Sequence, residues 1–207
     1  MRKLTCMLLL VVVPMVAALA ETYRWSDGRG DQALVTHPGV PKSPALAKAF
    51  KARFFPTPER LHDPDFLVEW ETTVELGRLT PRYYSAVSRG LTLYKDSKGQ
   101  VVGAHPAKIM DTLTWDLRKN QEVTLERLID KAQYTKLARL IGDHAEAREA
   151  FNPQAHYEFY LRKNGVAFFD PDAPHVAFGI ESVVPYAELL PLAAPHSPLL
   201  DSAVSGH

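Results

Sequence analysis

The residue best placed to do chemistry is His105, held in a Gly103-Ala104-His105-Pro106 corner. An imidazole there could serve as a general base or face a ligand, because histidine changes charge close to neutral pH. The proline after it biases its backbone towards an extended conformation, so a corner residue bonding the neighbouring backbone explains the same residues. The eight histidines fall at positions 37, 62, 105, 144, 156, 175, 196 and 207. No two of them share the i, i+4 or i, i+2 spacing that puts two ligands on one face of a helix or strand. Neither a metal nor a cofactor is therefore expected. Asp111 and Asp116 lie on opposite faces of one extended stretch and cannot work as an acid–base pair. Asp170 and Asp172 flank Pro171, a setting in which carboxylates brace turns. The chain has no G-x-S-x-G elbow, phosphate loop, dinucleotide fingerprint or H-E-x-x-H. No catalytic residue is expected. Tyr83, Tyr84, Tyr157 and Tyr160, with the three tryptophans, suit either a core or stacking against a glycan. One member of an adjacent tyrosine pair must point outward from a strand. Tyr83, Tyr84, His105, Tyr157 and Tyr160 are accordingly the candidate binding residues.

Those side chains need elements to hold them. From Phe66 to Leu76 the even positions are Phe66, Val68, Trp70, Thr72, Val74 and Leu76, and the odd ones include Glu69, Glu71 and Glu75. That alternation predicts a long strand with one apolar and one acidic, solvated face; glutamates along one strand face diverge from any single ion. Arg82 to Tyr94 reads as a second strand, Asp96 to Gly99 as a turn, and Lys108 to Leu117 as a strand with one buried face. Arg118 to Gln121 is a polar reversal. Thr124 can cap a helical region from about Leu125 to Phe151, with Gly142 as a break between two helices. Tyr157 to Leu161 and Val166 to Phe169 flank a Lys163-Asn164-Gly165 hairpin turn. Pro174 to Glu181 reads as one more strand, and Val183 to Tyr186 as the lead into a short helix ending at Leu192. Ahead of all this, Tyr23 to Gly28 reads as a short strand running into a turn. Pro38, Pro41 and Pro44 mark a connector, and Leu46, Phe50 and Phe54 recur at fours along a helix that packs on the main body.

The 207 residues are 46% hydrophobic, enough for a core without disulfides. Arg2 and Lys3 precede the apolar run Cys6 to Leu19, which ends in Ala18-Leu19-Ala20. This pattern predicts a secretory signal peptide over residues 1–20, cleaved before Glu21. The run is shorter than the roughly 20 residues a membrane span needs. Cleavage would remove the only cysteine and leave a formal charge of −2. That balance offers no footprint for nucleic acid and no polybasic membrane patch. The expected organisation is a signal peptide at 1–20, an irregular segment with a proline-rich connector and short helix at 21–64, one domain at 65–192, and a disordered Pro/Ser/Ala tail at 193–207. The expected compartment is the bacterial periplasm or the exterior.

Four motifs occur in a familiar order: Gly103-Ala104-His105-Pro106; Asp116-Leu117 with Val123-Thr124-Leu125-Glu126-Arg127-Leu128-Ile129; Tyr157-x-Phe159-Tyr160-Leu161 with Gly165-Val166-x-Phe168; and Pro185-Tyr186-x-Glu188-Leu189. Together they resemble the RsiV-type domain of bacterial envelope proteins. Val102 stands where that family has the first of two glycines, and Asn120-Gln121 replaces its Thr-Gly-Lys turn. The resemblance implies an α+β fold, a curved antiparallel sheet packed against helices. It also implies an exported binding domain, since the family's members include lysozyme-binding anti-sigma factors and accessory regions of peptidoglycan deacetylases. The expected function is non-enzymatic recognition of a cell-wall-active protein such as a lysozyme-like hydrolase, in an inhibitor, immunity or sensor role. A peptidoglycan- or glycan-binding or glycan-processing envelope protein is the alternative.

Overall fold

The computed structural model describes residues 20–145, 156–173, 179–201 and 204, with the side chains of residues 104 and 105 outside that description. Strands β1 (Glu21–Ser26) and β2 (Gln32–His37) form a hairpin. Helices α1 (Pro44–Phe54) and α2 (Pro58–Leu61) follow, then the long strands β3 (Leu67–Leu79), β4 (Tyr83–Lys95) and β5 (Val101–Asp116) and the two-residue β6 (Gln121–Glu122). These six strands make one open sheet in chain order, antiparallel except where β2 runs parallel to β3. Parallel neighbours need a crossover, which α1 and α2 supply. Helix α3 (Leu125–Leu128), a 3-10 turn (Lys131–Gln133) and helix α4 (Tyr134–His144) lead to a second sheet of β7 (Glu158–Leu161), β8 (Gly165–Phe169) and β9 (Ser182–Pro185). Helix α5 (Tyr186–Leu189) comes after it. The fold is α+β, as expected, with both sheets almost wholly antiparallel.

Four layers result. On one face of the large sheet, Val35, Val74, Tyr84, Ala86, Leu113 and Trp115 pack against Leu46, Phe50 and Phe54 of α1. Proline at the first turn and Lys51 and Arg53 in the last suit the polarity of α1. On the other face, Val87 and Met110 meet Tyr160, Ala167 and Phe169 of the small sheet. The far side of that sheet, with Phe159, Val166, Phe168 and Val184, packs on Leu137 and Ile141 of α4. All five residues of β8 are therefore buried, since both faces of this strand are covered.

The sheets meet where side chains vanish. Between Leu76 and Arg78 the β3–β4 register shifts, leaving Gly77 as an extra residue. A Cβ there would stand 2.5 Å from the Leu161 carbonyl oxygen and 2.6 Å from the Tyr160 ring. Beside it, the buried Ser85 hydroxyl lies 2.8 Å from Thr114 Oγ1 and accepts the Leu161 N–H at 2.8 Å.

Several expectations change. The segment 21–64 is not irregular: its hairpin joins the large sheet, and α1 covers that sheet's face. The Gly103–Pro106 corner is a bulge inside one continuous strand, between the pairs Tyr94↔Val102 and Thr92↔Ala107, with Gly103 at φ +97°. Gly142 does not break a helix. The break falls at Ile129–Asp130, because Asp130 caps the following turn by accepting the Ala132 N–H. Thr124 occupies the N-cap position of α3 without a side-chain bond to the helix backbone. The expected strand at Pro174 to Glu181 falls mostly outside the described residues, and the pairing strand is β9, which alternation over four residues could not announce. The described part of the tail, residues 193–201 and 204, is packed on the body rather than disordered. Ala194, Ser197, Pro198, Leu199 and Val204 are buried, and Ser197 Oγ donates to the Leu128 carbonyl at 2.6 Å.

Candidate functional site

The four candidate tyrosines, Tyr83, Tyr84, Tyr157 and Tyr160, are all buried. Tyr83 and Tyr84 project to opposite faces of β4, and both faces are covered. Tyr83 lies under the Arg82 guanidinium, 5.1 Å from its ring centroid, and burial pushes its phenol up to about 12. Tyr84 is edge-on to Phe50 at 6.4 Å, and its hydroxyl, raised further by burial, has no hydrogen-bond partner. Tyr160 sits between the sheets: its hydroxyl donates to Glu181 at 2.8 Å and accepts from Arg89 at 2.8 Å. Arg89 also pairs with Glu181 and, at 2.7 Å, with Glu75. This cluster ties the small sheet to the large one. His105 belongs to β5 by its backbone, and its side chain is outside the described residues.

Tyr157 also lines a groove. It is buried, with its phenol pushed up to about 12 by burial and then by Asp170. The groove, about 220 Å³, opens where β5, β6 and α3 meet β7. Its charged groups are Arg53, Glu122, Glu126, His156 and Glu158. Arg53 donates to Glu122 at 2.9 Å and stands 4.0 Å from Glu158, which accepts from the Thr112 hydroxyl at 3.0 Å. Glu126 is held below its ordinary value, first by its own backbone N–H and then by the Thr124 hydroxyl, with Lys131 and His156 contributing. The seam is thus a preset, mostly anionic surface whose ions are already compensated by protein groups. Its walls come from five elements spread over a hundred residues of sequence. Only Tyr157 was visible beforehand, while Arg53, Glu122 and Glu158 gave no signal as a group.

Asp111 lies on the α1 face of β5, opposite Ser88 in the register. Burial pushes its carboxyl up, Glu158 adds to the rise, and Arg60 and Arg53 oppose it. Asp116 serves the reversal after β5, accepting the N–H groups of Arg118 and Lys119 at 3.0 Å each. The two carboxylates are on opposite faces, as alternation requires. Among the described residues, no three His, Cys, Asp or Glu side chains gather as metal ligands. A second groove of about 310 Å³ lies on the open side of β1–β3, where Arg24, Ser26, Gln32, Leu34, Glu69 and Glu71 alternate with Trp25, Ala33 and Trp70. The acidic face of β3 faces solvent, as its spacing predicted, and there Lys95 pairs with Glu69 at 2.7 Å.

The architecture is that of two solved structures. A DUF3298 family member from Bacteroides fragilis superposes with a TM-score of 0.60 at 11% identity, over 91% of this chain and 96% of its own. A DUF3298 family protein from Pseudomonas aeruginosa gives 0.53 at 12% identity, over 86% and 93%. At such identities the likeness is one of fold. No sequence-family profile matches the chain, and no curated protein matches it.

Proposed function

We propose that this chain is an exported RsiV-type envelope domain that binds a cell-wall-active protein, a lysozyme-like hydrolase being the partner class, and catalyses no reaction itself. The observation that carries the reading is where two separated motifs meet. Val123 to Glu126 and Tyr157 to Phe159 both line the seam groove. Its carboxylates are spoken for by Arg53, Thr112 and Thr124 and converge on no common reacting point, an arrangement suited to docking a partner's side chains. The fold shared with DUF3298 proteins over nearly the full length of each chain agrees with the α+β domain that this reading requires. The leader at residues 1–20 would deliver the domain outside the cytoplasm, where such partners act.

The test uses the full chain, expressed with its own leader, and purified muramidases and amidases. Retention of a muramidase, protection of cells from its lysis, and loss of both in a Glu122→Lys, Glu158→Lys double variant support the reading. No retained hydrolase together with unchanged lysis overturns it. Fractionation and N-terminal sequencing of the same material should give a periplasmic product beginning at Glu21.

A further inference from the structure

Trp25 is an aromatic ring that stands beside a ligand-sized hollow. This half-buried indole near the end of β1 lines an open hollow of about 480 Å³ with Asp27, Pro58, Glu59 and His62. That size lies in the range of about 300–1,000 Å³ usual for small-ligand sites. Trp25 packs from behind on Ala33, Leu61 and Val68, which fixes its plane. The rim is fixed as well. Asp27 Oδ1 accepts the N–H groups of Arg29, Gly30 and Asp31 at 2.9 Å each. Arg29 then reaches across to α2 and its exit, with Nη1 2.9 Å from His62 Nδ1 and Nη2 donating to the Asp63 carbonyl at 2.8 Å. Those contacts hold the β1–β2 turn against the segment that carries Pro58, Glu59 and His62. The hollow is preorganised, which limits the ordering cost a ligand must meet.

Its chemistry is a flat apolar plate with anionic acceptors at the edge. A planar ring with a negative face favours the weakly positive C–H side of a sugar ring. Carboxylates accept hydroxyl hydrogens in short, charge-assisted bonds. A lone indole gives no cage for a quaternary ammonium, and the two carboxylates disfavour an anion. We propose that this hollow is a carbohydrate subsite, seating one pyranose ring of an oligosaccharide with its C–H face on Trp25 and its hydroxyls on Asp27 and Glu59. It lies at the β1 edge of the large sheet, whereas the seam groove lies at the β6 edge. Failure of one site therefore leaves the other readable.

The experiment titrates chitotetraose and cellotetraose into the full chain, following the Trp25 indole N–H cross-peak, assigned with Trp25→Phe. A saturable shift of that peak with either sugar is the expected result, and the tighter of the two identifies whether acetamido or plain hydroxyl sugars are the source. Trp25→Ala should weaken binding about tenfold, Trp25→Tyr should restore part of it, and Glu59→Gln should weaken it several-fold while the chain stays folded. Should Trp25→Ala fail to fold, the wild-type cross-peak and Glu59→Gln decide the matter. A cross-peak unmoved by millimolar amounts of both sugars overturns the proposal. So does binding that is undiminished in Glu59→Gln and Trp25→Tyr.

Discussion

The large sheet has two halves built from similar strands under different cover. At the β4–β5 end both faces are roofed, by α1 on one side and by the small sheet on the other, and Tyr83 through Ser88 are buried without interruption. At the β1–β3 end the side carrying Glu71 is open, so Glu71 and Leu91 remain exposed while Val68 and Val74 do not. Hydrophobic alternation survives only where one face meets water. Polar residues in the roofed half are recruited as fasteners: Ser85 and Thr114 bond each other, and Ser85 also holds the small sheet. In the open half polar residues form partly exposed ion pairs such as Lys95–Glu69, worth little individually. One half is thus a structural joint, and the other is a surface available to ligands.

Substitutions put the difference between the two halves to the test. Phe168→Ala, at a fully buried position of the middle strand of the small sheet, should cost about 3–5 kcal/mol, read from urea midpoints at constant slope. A smaller loss would mean that the small sheet collapses onto the cavity. Next comes Ser85→Ala, which orphans the Leu161 N–H in the joint and should cost about 1–3 kcal/mol. Hydrogen exchange should show its effect concentrated in β7; loss spread evenly over the chain would deny Ser85 its fastening role. His37, at the end of β2, is a pH probe of the other half. Burial holds its imidazole below the ordinary value, against Glu21, which raises it. The unfolded chain then binds a proton that the folded chain refuses. Stability should be complete above about pH 6.5 and decline as pH falls through the folded value. A His37→Gln variant should lose that slope, whereas an unchanged slope assigns the pH response elsewhere. Smallest of all, Leu91→Ala on the open side should stay within about 0.5 kcal/mol. A large cost there would show that this face is covered after all.

The same contrast explains what could be read from the residues alone. Strand β3 was legible because its acidic side is wet, and α1 because Leu46, Phe50 and Phe54 bury one stripe. The hairpin after β7 was legible from Lys163-Asn164-Gly165, although Gly165 itself opens β8 rather than sitting in the turn. Tyr83 and Tyr84 misled, since the rule that one of a pair points to solvent fails in a strand roofed on both sides. Strand β9 was hidden by its length and by the helix that follows it. The tail was hidden by composition: proline and serine usually mark loops, yet here Ser197 bonds a buried carbonyl and Leu199 fills the core. The seam groove had no local signature, because its parts converge only through sheet pairing and the crossing of β7 over β5. Trp25 stood in plain view, but nothing in six residues distinguished a platform from a core ring.

The crossing of the two sheets also says how kin of this chain should be sought. At 11% identity aromatic motifs drift, because any bulky apolar group can fill a layered interior. A site with no room for even a methyl group cannot drift that way, and Gly77 is such a site, with Ser85 beside it tied to a backbone amide it alone satisfies. A glycine eight positions ahead of a small hydroxyl residue, each on neighbouring long strands, is the fingerprint that distant cousins are expected to retain after their tyrosines have changed.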